Sequence, residues 1–458
     1  MNTTKNTKEK IRLFLAIMLP VLVTQLGMFS MTFADTVMSG NYSADDLAGV
    51  AIGSSIWVPV NTGLSGILIA MTPIVSQLVG ARKTKDVSAS VIQGIYLAII
   101  LSLLVLAVGF FALDPLLNMM DLEPYVRKVA RDYLIALSGG IIPLFIYSVL
   151  RSYIDALGQT RISMFITLTA LPVNVALNFL FIFGKLNFPE LGGVGSGVAS
   201  TITYWVILFI ATAVIMKVRP FKAYGIFARF IHISFGEIIR IMKIGVPIGL
   251  SIFFETSIFS AVTLLMSNYD TITIASHQTA MNFASFLYMV PLSISMAMTI
   301  VVGFEVGGKR YNDAKAYSKI GTFFAVGMAL LFGCVLFFFR TEVAGIYTNE
   351  PQVISMASSF LIYALFFQLS DAIMAPIQGA LRGYKDVNVT FVMSLISFWA
   401  LGLPAGFILA NYTSLEAYGY WVGLIIGLAI GAITLASRLY MVQKRIYTIK
   451  SEKSQLES

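Results

Sequence analysis

Twelve long apolar runs separated by short polar loops constrain this chain more than any other feature. They lie near residues 13–37, 48–79, 88–112, 130–154, 162–184, 196–216, 241–267, 272–304, 317–339, 353–380, 389–410 and 418–440. A helix needs about 20 apolar residues to cross a bilayer, and most of these runs have that length. They are continuous and lack the alternation of a membrane barrel, so helices are expected. Only 12% of the residues are charged, against about a quarter in a soluble domain. The first run is too long for a signal-peptide core and is expected to remain as a span.

The second half repeats the first. At an offset of 227, Pro20 meets Pro247, Asn41-Tyr42 meets Asn268-Tyr269, and Gly80-Ala81-Arg82 meets Gly307-Gly308-Lys309. Glu123-Pro124 meets Glu350-Pro351 at the same offset, after which Ala156-Leu157 meets Ala380-Leu381 at 224. Six spans per half is an even number, so both halves enter the membrane in the same sense. The expected fold is an all-α integral membrane protein with twelve transmembrane helices in two pseudo-symmetric six-helix lobes. Residues 1–216 form the N-terminal lobe, 217–240 a cytoplasmic linker, and 241–458 the C-terminal lobe with a short cytoplasmic tail.

Basic residues set the orientation. Of 31 Lys and Arg, only Arg127, Lys128, Arg131, Lys185 and Arg340 fall on one side of the spans. The expectation is a multi-pass protein of the cell inner (plasma) membrane with both termini cytoplasmic. The net charge of +8 sits in these loops and not on a soluble face, so no nucleic acid partner is expected. One cysteine, Cys334, excludes a disulfide framework, and two histidines, His232 and His277, argue against a histidine metal cage.

An ionisable residue inside a span costs about 2.5–3.5 kcal/mol on insertion scales and is a functional candidate. Glu255 lies near the middle of span seven and Asp371 within span ten. Twelve residues separate Glu255 from Lys243 and eleven separate Asp371 from Arg382, about 18 and 16 Å of helix. If Lys243 and Arg382 mark the cytoplasmic face, both acids sit near the midplane and could share one cation. Two close carboxylates resist joint ionisation without a cation or proton between them. The alternative is that each acid bonds separately to neighbouring helices.

In the first half, Asp35 is the acid of span one, while Asn174 and Asn178 share a face of span five at i and i+4. Amide oxygens beside a carboxylate suit Na⁺ or a proton relay. Asp35 is also readable as an interfacial residue, and the asparagines as interhelical glue. At these offsets the acids have no acidic partner: Glu255 meets Met28, Asp35 meets Val262, and Asp371 meets Tyr147. Arg151 and Asp155 at the end of span four read as a structural ion pair. Phe253, Phe254, Phe283, Phe286, Tyr288, Met289, Phe366 and Phe367, with Gln278, could form an adaptable wall for flat organic cations. Gly423, Gly427 and Gly431 make a close-packing face on span twelve.

The stretch Gly303 to Arg310 imitates a phosphate-binding loop, but Arg310 stands where Ser or Thr should hold Mg²⁺. No nucleotide and no cofactor are expected, apart from a coupling ion. No HExxH helix, GxSxG elbow or paired aspartate motif supports an enzyme.

Taken together, the chain resembles the multidrug and toxic compound extrusion (MATE) family, and its NorM-like branch. The resemblance rests on PVLVTQLGMFSMTFADTVMSG, GILIAMTPIVSQLVGAR, LPVNVALNFLFIFGK, FFETS and FFQLSDA, in that order and spacing. It implies a monomeric secondary antiporter exporting lipophilic cationic small molecules against inflow of Na⁺ or H⁺ by alternating access. It implies a coupling-cation site at Glu255 and Asp371, and a polar site at Asp35, Asn174, Asn178 and Ser200. NorM-like members can carry a tyrosine one turn before the span-ten acid; here that position is Phe367, which offers no hydroxyl. The rival reading is a flippase for a lipid-linked oligosaccharide or other amphipathic lipid, which calls for central Lys or Arg to meet phosphates.

Overall fold

The computed structural model describes residues 3–120, 122–228 and 231–456. Among them there is no β-strand. The first half contains α1 (Thr7–Tyr42), α2 (Ala44–Leu68), α3 (Met71–Gly80), α4 (Thr84–Asn118), α5 (Pro124–Ser138), α6 (Ile141–Ala156), α7 (Thr160–Phe183) and α8 (Val194–Lys217). The second contains α9 (Phe235–Met266), α10 (Thr271–Gly307), α11 (Tyr311–Tyr347), α12 (Pro351–Gly383), α13 (Asn388–Leu395), α14 (Leu403–Tyr412) and α15 (Ala417–Leu456). A π-helical segment, Ile396–Gly402, joins α13 to α14.

Eleven of the described helices or unbroken helix pairs are long and apolar enough to cross a membrane. The twelfth expected span, 130–154, is a bent pair: α5 and α6 meet at 51°. The bend falls at Gly139-Gly140, where Trp205 on α8 donates its indole N–H to the Gly139 carbonyl at 3.1 Å. That bond satisfies a carbonyl at the end of α5, where the intrahelical ladder stops.

The helix ends explain the repeat. Ser43 caps α2 by accepting the Asp46 N–H, and Asp270 caps α10 by accepting the Thr273 N–H. Side-chain oxygens there bind amides that have no intrahelical partner. Pro124 and Pro351 open α5 and α12, where a missing N–H costs nothing. Each pair is 227 residues apart. The expected fall to 224 does not occur: α6 ends at Ala156 and α12 at Gly383, still 227 apart. Gly158 and Lys385 follow with φ of 75° and 61°, and their N–H groups bond the Asp155 and Arg382 carbonyls. The Ala-Leu match at 224 is a coincidence of two common helix residues. In the true register Asp371 meets Leu144, not Tyr147, and remains unmatched by an acid.

The chain forms two compact units, and their limits differ from the sequence-based division. The first runs from Leu19 to Gly249; the second takes the stretch up to Met18 and the stretch from Leu250 onward. The first helix thus begins in the second unit. There Lys10 pairs with Asp313 at 3.0 Å, and the rings of Phe14 and Phe324 lie 6.0 Å apart. The first part of α9 belongs to the first unit because Gly245 and Gly249 let it approach α2. A Cβ at either would come within 2.5 Å of the Ile67 or Gly63 carbonyl oxygen. The described parts of the 217–240 stretch, residues 217–228 and 231–240, are strapped to the first unit. Gln93 donates to the His232 carbonyl at 2.7 Å and accepts the Ser234 N–H at 2.9 Å, and Phe221 is buried against Tyr153.

Small residues also set the packing within the second unit, as expected where lipid supplies no hydrophobic drive between helices. Gly423 on α15 lies so close to α14 that a Cβ there would sit 2.4 Å from the Gly406 Cα. Gly427 approaches Gly402, and Gly431 approaches Met374.

Candidate functional site

Each unit encloses one polar centre among its apolar helices. In the first unit, α1 contributes Asp35, α7 contributes Asn174 and Asn178, and α8 contributes Ser200. Asn178 donates its amide N–H to Asp35 Oδ1 at 2.6 Å and to Asn174 Oδ1 at 3.3 Å. Ser200 donates its hydroxyl to Asp35 Oδ2 at 3.1 Å. Both asparagines are buried, and Asn178 Oδ1 has no hydrogen-bond partner among the described residues. Asp35 itself is half-buried. Tyr133 on α5 and Tyr204 on α8 lie within electrostatic reach of Asp35, and Tyr133 pairs with Ser54 at 3.3 Å. All four sequence-derived candidates of this half therefore meet; the two tyrosines are additions that the sequence did not single out.

In the second unit, α9 contributes Glu255 and Ser251, while α12 contributes Asp371, Gln378 and Arg382. Gln378 donates its amide to Glu255 Oε1 at 2.5 Å, and Ser251 reaches the same oxygen at 3.5 Å, the outer limit of a hydrogen bond. Arg382 donates to Gln378 Oε1 at 3.0 Å. It is only 6% exposed, so it is a buried group and not the face marker assumed in placing the acids at the midplane. Asp371 is equally buried, and its Oδ2 has no hydrogen-bond partner among the described residues. Glu255 and Asp371 lie close enough for their charges to interact. Tyr288 on α10 is within electrostatic reach of both acids and of Arg382. Ser394 on α13 faces Glu255 without closing a hydrogen bond.

The aromatic candidates divide. Gln278 is exposed and donates to Asn282 at 3.1 Å. Phe286 and Phe366 are exposed, whereas Phe253, Phe283, Tyr288 and Met289 are half-buried. Phe254 packs edge-on against Trp399, which donates to the Phe254 carbonyl at 3.0 Å. Phe367 is a correction: at 5% exposure it is wedged between Phe259 and Trp421 inside the second unit and lines no accessible wall. Helical spacing shows which residues share a face, but in a membrane an apolar face meets lipid or core alike.

Arg151 and Asp155 form the expected ion pair, at 3.6 Å. Arg151 also donates to Gln25 Oε1 at 2.9 Å, and Ser163 donates to Asp155 at 2.5 Å. The Gly303–Arg310 stretch is the end of α10 and its turn, with the buried Glu305 paired to Arg310.

Two repeats of membrane-crossing helices, each holding within its spans a carboxylate bonded by a side-chain amide, define a polytopic membrane transporter. The sequence and the fold assign it further. The chain belongs to the MatE family, whose pattern matches residues 20–180 and 247–408. It is 57% identical over 445 residues to the probable multidrug resistance protein NorM of Bacillus licheniformis, covering 97% of this chain and 98% of that one. The protein of the same description from Bacillus subtilis is 55% identical over 97% and 98%. Among solved structures, a MATE protein in complex with MaD3S superposes with a TM-score of 0.87 at 17% identity, over 98% of this chain and all of that one. The Vibrio cholerae MATE transporter VcmN in its bent form gives 0.86 at 19%, over 96% and 98%.

Proposed function

We propose that this chain is a multidrug exporter that moves lipophilic organic cations out of the cytoplasm, driven by inflow of Na⁺ or H⁺. The observation that carries the reading is the buried Asp371 Oδ2, which no described group bonds, beside a second carboxylate. A cation or proton at that oxygen relieves the repulsion between the two acids. The membrane potential adds about 2.3 kcal/mol per inward charge per 100 mV. The first-unit centre supplies a second place for the same chemistry. There the Asn178 N–H now satisfies Asp35; with the amide turned over, its oxygen would join the carboxylate as a cation ligand. The multidrug description of the 55–57% identical relatives supports the substrate class. Gln278, Phe253, Phe254, Phe283, Phe286, Tyr288 and Met289 are the residues we assign to drug contact. The protein acts as a monomer in the cell inner membrane, with both termini in the cytoplasm.

The test is ethidium efflux from pump-deficient cells expressing the chain, with a Na⁺ gradient and a pH gradient imposed separately. Efflux that follows one gradient and is lost in Asp371→Asn or Asp35→Asn, with insertion retained, is expected. Wild-type efflux in both variants, or none in the inserted native protein, would overturn the reading.

A further inference from the structure

The two acids of the second unit are not equivalent. Glu255 accepts from Gln378, and Gln378 accepts from Arg382, so a guanidinium is linked to Glu255 through one amide. A guanidinium stays charged in proteins, and this one lies within electrostatic reach of Glu255. Asp371 has no such connection: its buried Oδ2 is unbonded, and the charged group acting on it is Glu255. Two further charged pairs at this end of α12 and in the turn after α10 are closed among themselves, Asp386 with Arg438 and Glu305 with Arg310. The centre therefore holds two carboxylates and one fixed positive charge, with the phenol of Tyr288 beside them. Buried charge is tolerated only when compensated.

We infer that Arg382, acting through Gln378, holds Glu255 as a permanent counter-charge, so that the second-unit centre takes up one monovalent cation or proton, at Asp371, and rejects divalent cations. Glu255 is half-buried, whereas Asp371 is buried. Arg382 is a positioning residue that sets how many charges the centre accepts. The inference rests on the proposed antiport and assigns the number and valence of the ion within it.

The test counts ions on the purified full-length chain in an Asp35→Asn background, which silences the first-unit centre. Bound ²²Na⁺ and protons taken up from lightly buffered indicator solution are summed, and ⁴⁵Ca²⁺ binding is measured in parallel. The parent should take up one charge per chain, lost in Asp371→Asn, with no Ca²⁺ binding. Arg382→Gln frees a second carboxylate, so the count should rise to two, with Ca²⁺ affinity raised about tenfold or more. Arg382→Lys should restore the count of one. Gln378→Glu supplies a second route should Arg382→Gln fail to fold. Its new carboxylate captures Arg382 and leaves Glu255 uncompensated, and the count should again be two. A count of two with Arg382 intact overturns the inference, as does a count fixed at one in every folded Arg382 and Gln378 variant. A count of one that responds to Arg382 in a protein without efflux overturns the antiport alone.

Discussion

Arg151 and Gln378 occupy the same position of the repeat, 227 residues apart, and reach the same place on the opening helix of their halves. Arg151 extends from α6 to the Met28 sulfur at 3.0 Å, while Gln378 extends from α12 to Glu255 at 2.5 Å. Met28 and Glu255 are themselves 227 apart. One turn further along, Asp155 and Arg382 also correspond. Each half thus carries one guanidinium near this contact, but the positions are exchanged. In the first unit it pairs with Asp155 and leaves an apolar sulfur opposite; in the second it stands behind an amide and leaves a carboxylate opposite.

Removing Arg151 should destabilise the first unit. Asp155 is buried and would keep only the Ser163 hydroxyl. Breaking a buried pair by deleting one partner costs about 3–5 kcal/mol. Arg151→Met should lower the thermal unfolding midpoint in detergent sharply, and Arg151→Met with Asp155→Leu should recover much of the loss. Additive losses in the double variant would show that the two charges do not support each other.

The partners of Asp35 should matter in the order of their bonds. Asn178 makes a 2.6 Å bond to the carboxylate, whereas Ser200 makes one of 3.1 Å. Both bonds go to a carboxylate, where a hydrogen bond contributes about 1.5–3 kcal/mol, and the shorter one is the stronger. Asn178→Leu should abolish ion-dependent efflux, and Ser200→Ala should raise the half-saturating ion concentration no more than about tenfold. Efflux titrations against the driving ion read both, and the reverse order would contradict the geometry.

Much of this was legible in the sequence, for identifiable reasons. The i,i+4 asparagines shared a face because helix geometry allows nothing else, and the structure brings Asp35 and Ser200 to them. The unpaired acids stood out because few ionisable groups occur inside spans. Arg382 was misread because a basic residue at a span end can snorkel to the surface or turn inward, and only packing decides. The repeat register slipped because Gly158 and Lys385 adopt the same left-handed backbone with different side chains. Phe367 was misplaced because its partner Trp421 lies 54 residues further along the sequence, where no local pattern points to it.

His277 should carry its proton on Nε2. The Trp421 indole can only donate, and it donates to His277 Nδ1 at 3.1 Å. The ring's other nitrogen then donates to Thr263, at 3.2 Å. Replacing the histidine alone strands a buried indole N–H, at a cost of about 1–3 kcal/mol. His277→Phe should therefore be less stable than His277→Phe with Trp421→Phe, as thermal unfolding would show. Nitrogen NMR of the labelled ring should report the Nε2–H tautomer, and the Nδ1–H form would refute the assignment.

Two glycine substitutions should separate packing from helix propensity. A Cβ at Gly327 on α11 meets nothing within 4 Å, so Gly327→Ala should be neutral or stabilise by up to about 1 kcal/mol. A Cβ at Gly423 would lie 2.4 Å from the Gly406 Cα, and backbone there cannot yield without moving α14 away from α15. Overpacking of this kind costs about 1–3 kcal/mol. The displaced segment is continuous with the π-helical turn, whose Trp399 bonds the Phe254 carbonyl next to Glu255. Gly423→Leu should therefore lower both the unfolding midpoint and ion-driven efflux, although it touches neither carboxylate. If efflux per folded molecule is unchanged in Gly423→Leu, the π-helical turn does not help to position Glu255, and the centre is held by α9 and α12 alone.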